Sequence, residues 1–335
     1  MEWGAIKPPY HSSILVLCSP PKPRRRIGEL VGVGIQSPIP APFSLQARPT
    51  MNERPLNPIT AEHIETYRAD GVVCLRQMFD AEWIERLQQA ALEVAADPAA
   101  YGLTGPSHGA MISVSHLWHK PGVFRDFVFN SPAGEIVGRV IEADNVQMFH
   151  DHLFRKPPRS PSIMQWHADH LWPFTGTMIP NLWVALSPVN EENGRIEFVA
   201  GYHRFCIDTG SRFGPAGDGT FRFPDFETER GNPDFPFRFV TWDLQPGDAV
   251  LFHVDIPHYS KGNDSGTLDR TGLAMRMIGD DCYWCPREGL MPVQGMDLLS
   301  QPDGVHPEPG ELLPLIWRRP EDEPRAFTPR EEQVA

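Results

Sequence analysis

From Val146 onward the chain is written in short apolar or alternating runs separated by Pro, Gly, Asn and Asp, the punctuation of a β-sandwich or barrel. These runs predict strands over Val146 to Phe154, Ile163 to Ala168, Asn181 to Leu186, Glu197 to Val199, Phe237 to Asp243, Ala249 to His253 and Leu273 to Ile278. Before Val146 the apolar period is that of a helix. Thr60 is placed to cap a helix that Gly71 stops, ahead of a β-rich run Val72 to Leu75. Asp80 caps a second helix, with Trp83, Leu87, Ala91 and Val94 along one face and Asp97-Pro98 at its end. Ser131-Pro132 opens a third through Ile136, Val140 and Ile141. The expected fold is therefore mainly β with α, a double-stranded β-helix (jelly roll, cupin-like) core with N-terminal helices packed on its outer sheet.

Strand parity then picks out chemistry. In Gln165-Trp166-His167-Ala168-Asp169-His170 an imidazole and a carboxylate stand two apart in a strand-like segment, so His167 and Asp169 can leave one face together. Further on, the apolar run Ala249 to His253 leads through Asp255 to Pro257-His258, a second candidate histidine. Two histidines and one carboxylate form the facial triad of non-haem Fe(II) oxygenases, which leaves metal positions open. His253 and Asp255 repeat the H-x-D spacing, without a second histidine partner at matching distance. Along the first long strand His150, His152, Phe154 and Lys156 share a face, opposite Phe149, Asp151, Leu153 and Arg155. If the first set looks into the barrel, His150 and His152 line its cavity.

A lone H-x-D carries little specificity, and its companions add the rest. They are Asn181-Leu-Trp-Val-Ala-Leu-Ser-Pro-Val-Asn-Glu-Glu-Asn-Gly194, then Glu197 to Arg204 with Ala-Gly-Tyr-His at 200 to 203, then His258-Tyr-Ser260-Lys-Gly-Asn263-Asp-Ser265 with Arg270 beyond. In this order, together with the opening stretch Ile59 to Phe79, they resemble the phytanoyl-CoA dioxygenase family of Fe(II)/2-oxoglutarate oxygenases over about Ile59 to Ile278. The family's usual Pro-Gly-Ser-His reads Ala-Gly-Tyr-His here, and the span from the distal histidine to the arginine carries an extra residue. The resemblance implies an enzyme using Fe(2+), 2-oxoglutarate and O2 to hydroxylate a small organic metabolite, releasing succinate and CO2. It implies His167, Asp169 and His258 as metal ligands and Arg270, with Arg276 as fallback, for the distal carboxylate of 2-oxoglutarate. Ser260 adds a hydroxyl, and Trp183 and His150 line that pocket. A different metal-dependent enzyme on a cupin-like barrel, or a binding module that has lost catalysis, are the competing readings.

Composition narrows the setting. With 335 residues, 41% hydrophobic content and a formal net charge of −13, a globular chain without a nucleic-acid or anionic-membrane partner is expected. Five cysteines, two of them in the lone pair Cys282-Tyr-Trp-Cys285, favour ordinary thiols in a reducing, cytoplasmic compartment. No apolar run reaches the ~20 residues of a membrane-spanning helix, and nothing marks an obligate protein partner. Residues 1–50, proline-rich with a basic cluster at Arg24-Arg-Arg26, are read as a disordered or spurious extension before Met51, a transit peptide being the alternative. Residues 51–317 form the oxygenase domain, 207–236 a lid or substrate loop, and 318–335 a mobile tail. Aromatics near the expected mouth (Trp166, Trp172, Phe174, Phe205, Phe213, Phe221, Phe223, Phe226) suggest an apolar or ring-bearing substrate, or a lid packed on itself.

Overall fold

The computed structural model describes residues 51–102, 111–169, 171–209, 223–286, 290, 291, 293, 295 and 303–325. By their own contacts, Met1–Arg48 and Pro49–Ala335 form separate units, and all described residues belong to the second. Residues 1–50, and Phe213 and Phe221 of the expected loop, lie outside the described residues.

Helix α1 (Ala61–Asp70) starts where Thr60 accepts from the His63 amide, and Gly71 ends it at φ 70°, a left-handed stop that glycine adopts without strain. Strand β1 (Val72–Leu75) follows, then α2 (Ala81–Ala96), capped by Asp80 through the Trp83 amide. Trp83, Ile84, Leu87, Ala91 and Val94 form the buried face of α2. Elements that the sequence reading did not give include β2 (Ile112–Ser115), α3 (Val123–Asn130) and, at the far end of the chain, β13 (Leu315–Arg318). The third expected helix is α4 (Ala133–Val140).

The strands that follow are β3 (Asn145–Lys156), β4 (Met164–His167), β5 (Phe174–Thr175), β6 (Pro180–Ala185), β7 (Glu197–Ala200), β8 (Arg238–Thr241), β9 (Ala249–His253), β10 (His258–Ser260), β11 (Arg270–Ile278) and β12 (Tyr283–Trp284). A large antiparallel sheet runs β1-β9-β6-β11-β3-β13, with β2 also on β3; a smaller one runs β4-β10-β7-β8; β12 and β5 form a third pair. Parity explains the layers. Leu182 and Val184 of β6, Leu251 of β9 and Leu273 and Met275 of β11 point outward, into a core shared with Trp83, Leu87, Phe127 and Ile136 of the helices. The alternate residues Trp183, Ala185, Val250, Phe252 and Ala274 point inward, where Phe198 of the smaller sheet meets them. The fold is a jelly-roll core with helices against the outer face of the larger sheet.

Two boundaries differ from the sequence reading by three residues or more. Strand β11 begins at Arg270 rather than Leu273, because it pairs with β3 from Arg270 opposite Lys156 to Ile278 opposite Gln147, with one shift of register between Arg276 and Met277. The tail expected from 318 is held as far as 325: Arg318 closes β13, Arg319 donates to the carbonyls of Gly138 and Ala143, and Arg325 pairs with Asp144 at 2.7 Å. Residues 326–335 lie outside the described residues. The expected lid begins within α5 (Tyr202–Thr209), and farther along it α6 (Phe226–Glu229) packs its buried Phe226 against Tyr202, Phe223, Phe235 and Phe239, so the described part of that aromatic stretch packs largely on itself.

Candidate metal centre and cosubstrate pocket

Strand β4 ends on His167, and its partner β10 begins on His258; the two residues face each other in the antiparallel pair, with ring centroids 4.1 Å apart. Asp169 stands just beyond β4, not within it, and its amide donates to the Val254 carbonyl at 2.8 Å, which turns the chain so that its carboxylate meets the two imidazoles. Among the described residues, these three are the only group of three or more His, Cys, Asp or Glu whose ligand atoms converge, all within 4.8 Å of one another. His253 and Asp255 lie elsewhere, buried, with the His253 ring 5.5 Å from that of His203.

The donor set fits a metal ion. His167 Nδ1 donates to the Gln165 carbonyl at 2.7 Å and His258 Nδ1 to the Ile256 carbonyl at 3.0 Å. A carbonyl can only accept, so both Nδ1 atoms carry the proton and both Nε2 lone pairs remain for coordination. Asp169 is oriented just as firmly: its Oδ2 accepts from Arg276 Nε at 3.0 Å, Arg276 Nη2 at 2.7 Å and Asn181 Nδ2 at 2.7 Å, which leaves Oδ1 as the ligand. Burial would raise the Asp169 carboxyl, but Arg276, His258 and His167 beside it hold it well below the usual carboxylate range. Burial, with His167 next, pushes the His258 imidazole down to about 3, so it is neutral and able to coordinate at pH 7.

A cavity opens from these ligands along the inner faces of β3, β6 and β11. His167, Asn181, Trp183, His258, Ser260, Arg270 and Arg276 are among its walls. Arg270 is 3% exposed, and no acid or other hydrogen-bond acceptor meets its guanidinium among the described residues. Its Nε is unpartnered, and the Trp183 ring lies 4.8 Å from its Cζ. Burial lowers the guanidinium to about 10, so it stays charged at neutral pH. Trp183 takes this position because Gly272 lies beneath it: a Cβ there would fall 1.9 Å from the ring. The Ser260 hydroxyl lies in the same pocket, accepting from Lys156 Nζ at 2.7 Å and donating to the Gly194 carbonyl at 3.0 Å. Lys156, fully buried and directly across from Arg270 in the sheet, also donates to the carbonyls of Ser260 and Lys261.

The expected site residues thus sort themselves. His167, Asp169 and His258 converge; Arg270, Ser260 and Trp183 stand together farther along the cavity; Arg276, the fallback for 2-oxoglutarate, is committed to Asp169. His150 sits opposite Arg276 in the β3–β11 register and packs on Trp172, with ring centroids 4.6 Å apart. Asn181 and Lys156 were not singled out as site residues from the sequence. Asn181 was legible only as the first residue of a motif, and Lys156 only as a position on the His150 face.

Comparisons with known proteins bear on the family and the fold. A family model described as phytanoyl-CoA dioxygenase matches residues 67–272. Phytanoyl-CoA dioxygenase domain-containing protein 1 of Danio rerio is 24% identical over 197 residues, 58% of this chain and 67% of that protein. Ectoine dioxygenase of Sphingopyxis alaskensis is 25% identical over 223 residues, 62% of this chain and 72% of that one. Among solved structures, the non-heme alpha ketoglutarate dependent epimerase SnoN from nogalamycin biosynthesis superposes with a TM-score of 0.60 at 20% identity, covering 78% of this chain and 98% of its own.

Proposed function

The chain belongs to the phytanoyl-CoA dioxygenase family of Fe(II)/2-oxoglutarate oxygenases, and from that premise we propose that it hydroxylates a small organic metabolite at a centre held by His167, Asp169 and His258. Bound iron would supply the activation of O2 and the oxidative decarboxylation of 2-oxoglutarate to succinate and CO2. The protein's own residues bind and orient. His167 Nε2, Asp169 Oδ1 and His258 Nε2 would hold the ion, and Arg276 with Asn181 occupies Asp169 Oδ2.

One observation carries the cosubstrate assignment: Arg270 is a buried cation without an acid, facing the same cavity as the ligands. A buried, unpaired charge costs several kcal/mol, and a carboxylate arriving from solution offsets it through a two-pronged, charge-assisted pair. Ser260 would turn its hydroxyl from the Gly194 carbonyl towards the same carboxylate, and the Trp183 ring stands 4.8 Å from the guanidinium carbon. This favours the oxygenase reading over a cupin-like hydrolase or isomerase, which has no use for a second, carboxylate-binding cation. Cys74, Cys206, Cys282 and Cys285 are thiols, which supports a reducing, cytoplasmic setting. No helix among the described residues is long and apolar enough to cross a membrane.

The test is succinate formation by anaerobically Fe(II)-loaded protein given 2-oxoglutarate and air, screened against a metabolite panel. Succinate release that depends on Fe(II) and rises with one metabolite is expected. Protein that binds Fe(II) but consumes no 2-oxoglutarate under any condition would remove the cosubstrate from the reading.

A further inference from the structure

Beside Asp169, on the side away from Arg270, lies a second set of buried polar groups that metal and cosubstrate binding do not use. Arg276 spends Nε and Nη2 on Asp169, while its Nη1 is buried without a partner. His150, directly across the β3–β11 register and 3% exposed, has an unpartnered Nδ1 and no side-chain hydrogen bond among the described residues. His116 places its ring edge-on to His150, with centroids 4.5 Å apart, and its Nδ1 is also unpartnered. The backbone at His116 is left-handed, φ 62°, a conformation that costs a non-glycine residue free energy and clusters at ligand sites. Trp172 closes the set, 4.6 Å from His150 and 5.8 Å from the Arg276 guanidinium carbon.

Burial, then the charge of Arg276, keeps the His150 imidazole well below its usual range, and burial lowers His116 to about 4. Both rings are therefore neutral at pH 7, each with one N–H to give. The group that Arg276 Nη1 lacks is an acceptor, since leaving a buried donor unmade is costly, and each neutral imidazole can turn its one N–H to the same acceptor. One shared guanidinium and two neutral imidazoles suit a singly charged, two-oxygen anion better than a phosphate dianion.

We infer that the substrate is a carboxylic acid whose carboxylate sits against Arg276 Nη1, His150 and His116, with its adjoining flat or apolar part on Trp172. This rests on the oxygenase reading above, because that reading puts the substrate beside the metal centre, where Arg276 pairs with Asp169. A single guanidinium touches both the anchored carboxylate and the metal ligand, so the carbon oxidised lies within a few bonds of that carboxylate.

The inference is tested by ligand-observed NMR on full-length protein loaded with Zn(II) and saturated with 2-oxoglutarate, which blocks the Arg270 pocket. The probes are benzoate and phenylacetate, each paired with its neutral amide. The acids should bind about ten- to a hundredfold tighter than the amides, the range of a charge-assisted hydrogen bond. His150→Phe and His116→Phe should each remove most of that preference, and His150→Gln should restore part of it. Zn(II) content and calorimetric 2-oxoglutarate affinity should stay unchanged in all three. Amides binding as well as acids, no binding by either acid, or acid binding that the histidine variants leave intact would overturn the inference. So would a second equivalent of Zn(II) that only the histidine variants lose, because that would make the cluster a metal site. Failure of 2-oxoglutarate to bind, with histidine-dependent acid binding intact, would sink the cosubstrate reading and leave this subsite standing.

Discussion

At the scale of single residues, the centre depends on which oxygen of Asp169 is spoken for. Asp169→Ala should abolish Fe(II) retention, measured as iron per protein after desalting. Arg276→Leu removes two of the three hydrogen bonds on Oδ2, so it should weaken metal retention while leaving the 2-oxoglutarate pocket intact. Arg270→Ala should do the reverse: the apparent constant for 2-oxoglutarate rises about ten- to a hundredfold with iron content unchanged, and Arg270→Lys recovers only part because an ammonium lacks the planar fork. Titrating 2-oxoglutarate against all three variants separates the two arginines. Lys156 adds a pH signature. Burial, with Arg270 nearby, lowers its amine to about 6 from an ordinary value of 10.5. The unfolded chain therefore binds more protons between these values, and this group makes stability rise with pH from about 6 towards 10. Lys156→Met should flatten that rise in denaturant midpoints taken across the window. The converging triad was legible because two short motifs name it, although Asp169 stands beyond the strand whose parity suggested it. The partner of Arg276 was not, since that pairing joins residues 107 apart in sequence through a sheet register no local pattern displays.

At the scale of elements, β11 organises the site. Arg270, Gly272, Ala274 and Arg276 share its inner face, and the same strand pairs with both β3 and β6. The sequence showed only its apolar end, because Arg270-Thr271-Gly272 lacks the alternation that marks a half-buried strand. Other missed elements have equally local causes. Val123-Phe-Arg-Asp-Phe-Val-Phe-Asn130 is rich in β-branched and aromatic residues yet is helical, because Phe124, Phe127 and Val128 fall on one helical face and are buried together. Leu315–Arg318 sits among Pro and Arg and becomes a strand only by pairing with the start of β3. Gly272 is the sharpest test of β11. Gly272→Ala drives a methyl into the Trp183 ring, so a loss of about 1–3 kcal/mol in unfolding free energy is expected, together with weaker 2-oxoglutarate binding as Trp183 leaves Arg270. Adding Trp183→Leu should return part of the stability and none of the cosubstrate affinity; full recovery of both would show that Trp183 does not support Arg270.

At the scale of the whole chain, the question is where the folding unit starts, and hydrogen bonds near Met51 argue the answer. Asn52 is tied to the start of α2 by a reciprocal set: its amide donates to Asp80 Oδ2 at 2.6 Å, and its Oδ1 accepts from the Asp80 amide at 3.0 Å. Its Nδ2 donates to the Met78 carbonyl at 2.9 Å, and its own carbonyl accepts from Trp83 Nε1 at 3.0 Å. Asp80 is also the cap of α2, and Trp83 is among the largest fully buried side chains. These residues lie in the unit Pro49–Ala335. Protein lacking residues 1–50 should therefore unfold at the same denaturant midpoint as the full chain and turn over 2-oxoglutarate at the same rate. Protein lacking residues 1–57 should be less stable by a few kcal/mol, because the Trp83 indole and the Asp80 amide each lose a partner at about 1–3 kcal/mol apiece. Activity per folded molecule should survive that second cut, since Asn52 touches none of the ligands. Loss of stability already at the first cut would mean that the extension contributes to the fold and that the unit begins upstream of Met51.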